Sequence, residues 1–180
     1  MQVHCQELTT VLEIVERWCQ RWFNHDTQKS MLVLCGNPGN GKTKIAECIA
    51  RYARLSAVDA FSKGRWGTNI PGQLWTYWPD TVDRFNEFEF SEMEDLMEEA
   101  LVFLDDLGAE TDKKSKSACG KLCQVLSHRE RKFTVITTNT APDTWAEAFD
   151  SRVADRLVRN TELVDMFRIP SYSEVCAKAR

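Results

Sequence analysis

Apolar and polar positions along the chain follow two rhythms. Leu8, Val11, Leu12, Val15, Trp18, Cys19 and Trp22 recur at three- and four-residue steps, the spacing of one helical face. Thr10 with Glu13 has the form of a capping box for that helix. Residues 31–35, MLVLC, are continuously apolar and too short for a helix, so they predict a buried strand. A second helical stripe follows in Ile45, Cys48, Ile49 and Tyr52.

Further along, FSKGRWGTNIPGQLWTYWP (61–79) mixes glycine, proline and three tryptophans, with a strand expected around Leu74–Trp78 and a helix near Asp80–Asn86. Ser91 and Glu94 form a second capping-box pattern, ahead of a stripe of Met93, Leu96, Met97 and Ala100. A strand at 101–104 leads into the polar turn TDKKSKS. Ala118, Leu122, Val125, Leu126 and Arg129 then mark a helix, FTVITTN (133–139) a buried strand, 145–158 a helix and TELVDMF (161–167) a last strand. Strands alternating with helices predict an α/β fold with a largely parallel sheet. No repeat, low-complexity tract or long linker divides residues 1–180, so one domain is expected, with residues 1–30 supplying a helix of its core.

Bulk composition narrows the classes. A net charge of −4 advertises no nucleic-acid partner, so any DNA contact must come from a local patch. No apolar run approaches the roughly 20 residues of a membrane helix, and MQVHCQELTT lacks a signal-peptide layout; a cytoplasmic protein is expected. The seven cysteines are scattered and odd in number. Cys119 and Cys123 share a helical face, but nothing nearby completes a zinc site, so buried reduced thiols are expected.

The first candidate chemistry is Gly36-Asn37-Pro38-Gly39-Asn40-Gly41-Lys42-Thr43, which fits GxxxxGK[ST] between a strand and a helix. Glycines let backbone N–H groups turn inward around phosphate oxygens, and the following helix aims its positive end at the same anion. Lys42 would reach the β- and γ-phosphates of ATP, and the Thr43 hydroxyl would ligate Mg²⁺.

The second is LVFLDD (101–106), a core-like run that ends in two adjacent carboxylates. Charges are not buried without partners, so the pair lies either at a solvated strand end or against a cation. Beside a phosphate loop the cation reading prevails: Asp105 as an outer-sphere ligand of the magnesium, Asp106 as the carboxylate polarising the attacking water. Asn139, ending FTVITTN, would sit at the same carboxyl edge of the sheet, positioning the lytic water or sensing the γ-phosphate, or else capping the next segment. Arg152 and Arg156 fall one turn apart, a spacing that usually means a solvated face paired to carboxylates such as Asp155 or Glu147.

LDDLGAE (104–110), preceded by GNPGNGKT and followed by TTN and RVADRL, resembles the AAA+ ATPases of the DnaC-type replicative helicase loaders and their relatives, the IstB-type transposition helpers. The resemblance runs from about Thr10 to Tyr172. It implies a five-stranded AAA+ phosphate-loop NTPase sheet and an ATP site at a subunit interface. It also implies that Arg156 acts in trans on a neighbour's γ-phosphate and that Asn139 is the sensor asparagine. A slow, Mg²⁺-dependent ATPase switch follows, with a replicative helicase or related replication protein as partner.

Three departures accompany it. Only about 35 residues precede the phosphate loop, so no separate helicase-gripping domain is expected within them: either that module is lost or the chain is a piece of something longer. Where loaders often end Ser-Tyr-Arg, this chain reads Ser171-Tyr172-Ser173, leaving Lys178 or Arg180 as substitutes for the missing cation. The second acid is Asp106, where many AAA+ enzymes carry Glu. For single-stranded DNA the best local candidates are Lys113, Lys114 and Lys116, with Lys63 and Arg65 in reserve; Trp66, Trp75 and Trp78 would either stack on bases or pack into the core. Two other readings stay open: a helper ATPase that regulates a transposase, and a module that binds ATP without hydrolysing it.

Overall fold

The computed structural model describes residues 6–64, 71–87, 90–110 and 116–178. Five strands form one parallel sheet in the order β2-β3-β4-β1-β5. They are β1 Met31–Cys35, β2 Gln73–Tyr77, β3 Leu101–Leu107, β4 Phe133–Thr138 and β5 Thr161–Asp165. The helices are α1 Gln6–Phe23, α2 Lys42–Ser62, α3 Trp78–Glu87, α4 Phe90–Glu98, α5 Lys116–His128, α6 Trp145–Ala148, α7 Ser151–Val158 and α8 Tyr172–Lys178, with a 3₁₀ turn at Pro142–Thr144.

The continuous apolar strands are apolar because both faces of the sheet are covered. Leu32, Leu34, Leu101, Phe103 and Val135 pack under α1 and α2, while Met31, Val33, Val102, Leu104 and Ile136 pack against α5 and α7 on the opposite side. Successive side chains of each strand therefore feed two separate cores. The thiols of Cys19 and Cys35 are buried in this packing, and desolvation first, with Glu16 and Asp165 respectively adding to it, pushes both up to about 12. They are free thiols, as is Cys123; Cys119 is buried with its thiol donating to the Phe149 carbonyl at 3.4 Å, and Cys48, expected to be buried, is free but exposed.

Three sequence expectations are corrected. Thr10 is no cap: α1 already runs from Gln6, and the exposed Thr10 hydroxyl donates back to the Gln6 carbonyl at 3.4 Å. The helix expected over 145–158 is broken at Phe149, whose ring is buried, and restarts where the Asp150 carboxylate accepts the Val153 N–H at 2.9 Å and caps α7. The last strand stops at Asp165 because its own carboxylate accepts the Phe167 N–H and turns the chain. Of the two readings of Trp78, packing into the core holds: it is fully buried at the start of α3. Ser91 lies in the first turn of α4, and its side chain falls outside the described residues.

A buried cation ties the far side of the sheet together. Arg129 is fully buried; it donates to the carbonyls of Leu96, Glu99 and Phe133 and to the Thr134 hydroxyl over 2.6–3.0 Å. Burial pulls its pKa down to about 10, opposed by the nearby Glu99 and Glu98. Arg129→Met is expected to lower stability by about 3 kcal/mol or more, since it strands several buried acceptors at once. Urea unfolding monitored by tryptophan fluorescence measures this.

Candidate functional site

The sheet order sets the site. The carboxyl ends of β1, β4, β3 and β2 stand side by side, and each contributes a polar residue to one open cleft of about 360 Å³. Its lining comprises Pro38, Gly39, Gly41, Lys42, Thr43 and Lys44 after β1, Thr137 from β4 and Asn139 just after it, Asp105 and Asp106 from β3, and Tyr77 from β2.

The loop after β1 needs its glycines at two points. Gly39 has φ 79° and Gly41 has φ 94°, backbone that side chains with a Cβ rarely adopt. Gly41 leads directly into α2, whose first residue is Lys42. The loop rests against the segment that follows β5. The Asn40 amide donates to the Met166 carbonyl at 2.9 Å, the Asn37 amide to the Phe167 carbonyl at 3.2 Å, and the Tyr172 N–H to the Gly39 carbonyl at 3.0 Å. At the foot of α8, Ser171 and Glu174 exchange side-chain-to-backbone bonds of 3.0 and 3.3 Å, a capping box that the SYSE sequence carries openly. Gly36, Asn37 and Asn40 thus support the loop from behind and do not line the cleft.

Lys42 is 6% exposed. Its ammonium donates to the carbonyls of Gly36 and Asn37 at 2.8 and 2.9 Å and to Asn139 Oδ1 at 2.8 Å. Desolvation lowers its pKa, opposed by Asp106, Cys35 and Asp105. The Asn139 amide in turn donates to Asp106 Oδ1 at 2.8 Å. Lys42, Asn139 and Asp106 therefore form one hydrogen-bonded line across the ends of β1, β4 and β3. Beyond it stands Tyr77, whose phenol is pushed up by desolvation and then by the Asp106 carboxylate.

Two adjacent strand residues ordinarily point to opposite faces, yet Asp105 and Asp106 both reach the cleft. A bulge makes this possible. Leu104 pairs with Ile136 and Leu107 with Thr138, three steps on β3 against two on β4. Asp106 is the inserted residue, in the left-handed region at φ 60°. Gly108, at φ 91°, turns the chain away where a Cβ would meet Thr140 Oγ1 at 2.8 Å, and its N–H bonds the buried Glu110 carboxylate. The Thr43 hydroxyl lies 3.0 Å from Asp105 Oδ1. A hydroxyl and a carboxylate in hydrogen-bond reach, with a second carboxylate in the same cleft and no sulfur or imidazole in its lining, form a donor set suited to a hard cation such as Mg²⁺. Among the described residues no cluster of three or more His, Cys, Asp or Glu forms a separate metal site.

Arg156 sits on α7 and is not part of this lining; its guanidinium is 3.9 Å from Glu130. Arg152 pairs with Asp150, and Asp155 pairs with Arg159. Lys113, Lys114, Arg65 and Trp66 fall outside the described residues, as does the Lys116 side chain. Lys63 is paired with Asp59, and Trp75 stacks on Phe103 with centroids 4.9 Å apart. Tyr77 and Thr137 were not singled out from sequence. Thr137 lies two residues before Asn139, hence on the same strand face, and Tyr77 ends a strand at the same sheet edge, so both carried a signal.

A glycine-turned loop ahead of a helix, a lysine at that helix start and carboxylates at the end of the next strand but one define a phosphate-loop nucleotide-binding domain. The chain belongs to the ATPase family associated with various cellular activities (AAA), whose profile matches residues 32–161. It is similar in fold to the crystal structure of the DnaC helicase loader, at 18% identity and a TM-score of 0.71 over 92% of this chain and 93% of that one. Domain III of the Thermotoga maritima replication initiation protein DnaA superposes with a TM-score of 0.69 at 17% identity, over 97% of this chain and 67% of that one. A stretch of 48 residues is 38% identical to the replication factor C large subunit of Picrophilus torridus, covering 27% of this chain and 12% of that protein. Among the described residues no helix is long and apolar enough to cross a membrane.

Proposed function

We propose that this chain is a Mg²⁺-dependent, slowly hydrolysing ATPase switch that acts in DNA replication in the manner of a helicase loader, in the cytoplasm. The observation that carries the enzymatic part is the continuous line from Lys42 through Asn139 to Asp106, with Thr43 against Asp105 beside it. In this reading Lys42 exchanges its loop carbonyls for phosphate oxygens. Thr43 and Asp105 would hold the Mg²⁺. When bound, the metal neutralises charge on the β- and γ-phosphate oxygens. Asp106 polarises the attacking water, and Asn139, bonded to both Asp106 and Lys42, holds the two in register with the γ-phosphate. Arg156, outside its own cleft, serves the site of a second copy. The replication role rests on the resemblance of LDDLGAE, TTN and RVADRL and on the likeness to the loader and initiator structures. Contact with single-stranded DNA rests on the lysines of TDKKSKS alone.

The test is hydrolysis of ATP with and without Mg²⁺ by wild type and Asp106→Asn. Asp106→Asn is expected to bind ATP within about threefold of wild type and to lose about 100-fold or more in turnover, the scale of a lost charged group at the reacting centre. Equal turnover in the two proteins would contradict the role of Asp106. Absence of turnover in wild type, with Mg·ATP still bound, would make the chain a nucleotide-holding module.

A further inference from the structure

The bulge at Asp105–Asp106 breaks the regular ladder between β3 and β4, and an interrupted ladder leaves backbone groups to be paired by other means. Here the partners are side chains of the opposing strand end. Thr137, 2% exposed, receives the Asp106 N–H on its hydroxyl oxygen at 2.8 Å and donates its proton to Asp105 Oδ1 at 2.6 Å. Thr138 donates to the Leu107 carbonyl at 2.6 Å, and Asn139 to the Asp106 carboxylate at 2.8 Å. Three consecutive residues of the TTN segment thus hold three consecutive residues of β3.

Of these four bonds, the two of Thr137 bear on both acids at once. One fixes the backbone of Asp106 in a left-handed conformation that an aspartate adopts only with support. The other fixes the carboxylate that also accepts from Thr43. Both hydroxyls fall on the same oxygen, Oδ1, which orients the plane of the Asp105 carboxylate relative to the loop. We infer that Thr137 is a positioning residue of the hydrolytic site, whose single hydroxyl sets the spacing between the metal-facing Asp105 and the water-polarising Asp106. The inference rests on the roles proposed above for those two acids. Thr138 supplies the internal contrast: its bond reaches only the Leu107 carbonyl, so it braces the bulge without touching either acid.

The experiment compares Thr137→Val, Thr137→Ser and Thr138→Val in the full chain. The readouts are melting temperature, ATP kcat and KM, and the Mg²⁺ concentration needed for half-maximal binding of a fluorescent ATP analogue. Thr137→Val is expected to keep KM within about threefold, to lose about 10- to 100-fold in kcat, the scale of a reacting group displaced by a fraction of an ångström to one ångström, and to need several-fold more Mg²⁺. Thr137→Ser, which restores the hydroxyl, is expected to recover both. Thr138→Val is expected to lower the melting temperature with kcat and Mg²⁺ demand unchanged. A Thr137→Val protein that melts lower but matches wild type in kcat and Mg²⁺ demand would overturn the inference, as would Thr137→Ser behaving like Thr137→Val. If Thr137→Val does not fold, Thr137→Cys, a weak donor of similar size, is read against the same two outcomes. Should wild type itself hydrolyse nothing, the reading of the site as an ATPase fails separately. The Mg²⁺ demand of analogue binding then still decides whether Thr137 orients Asp105.

Discussion

Lys42→Ala is expected to weaken Mg·ATP binding by more than about 100-fold, roughly 3 kcal/mol, while the domain stays folded. The side chain is nearly buried and desolvated, and its three strongest acceptors are two loop carbonyls and Asn139. An ammonium held in this way contributes little net stability, because desolvation offsets much of what its hydrogen bonds contribute. It is nonetheless the buried cation of a cleft that also holds two aspartates, and without it a triphosphate would meet those carboxylates with far less compensation. Isothermal titration with Mg·ATP, alongside far-ultraviolet circular dichroism, checks both halves. Undiminished affinity in a folded variant would defeat the assignment of the loop.

Arg156→Ala has the second large expected effect, on rate rather than on binding. The guanidinium projects from α7, is about one third exposed and meets only Glu130, at 3.9 Å, among the ion pairs of described residues. A partly exposed pair at that distance is worth at most about 1 kcal/mol, so the side chain is available to leave it. Arginines supplied to a phosphate-loop site from a neighbour accelerate hydrolysis by roughly 10³ to 10⁵ in the best-studied cases. The expected result is unchanged ATP affinity with loss of whatever part of the turnover depends on self-association.

Much of this site is legible in sequence, for identifiable reasons. The phosphate loop can be read because its chemistry depends on glycines at fixed spacing between a strand and a helix, all within eight residues. Asp105 can be read because an apolar strand does not end in a charge without cause. How Asp106 comes to face the same cleft cannot, since that depends on a bulge held by hydroxyls about thirty residues further on, and no local pattern announces a skipped ladder partner. The same holds for the break at Phe149–Asp150: the helical period runs through it, and only the burial of the Phe149 ring and the capping carboxylate show why the helix restarts. The strand that carries Tyr77 is legible to within one residue, but its place at the cleft depends on the sheet order, which the sequence does not state.

The most direct test is the ATP hydrolysis rate per subunit, measured against protein concentration with and without single-stranded DNA, for wild type and Arg156→Ala. A site completed by a neighbouring copy requires the wild-type rate per subunit to climb with concentration while Arg156→Ala stays flat at every concentration. A wild-type rate per subunit independent of concentration and equal to that of Arg156→Ala would contradict the shared site and leave each chain hydrolysing ATP alone.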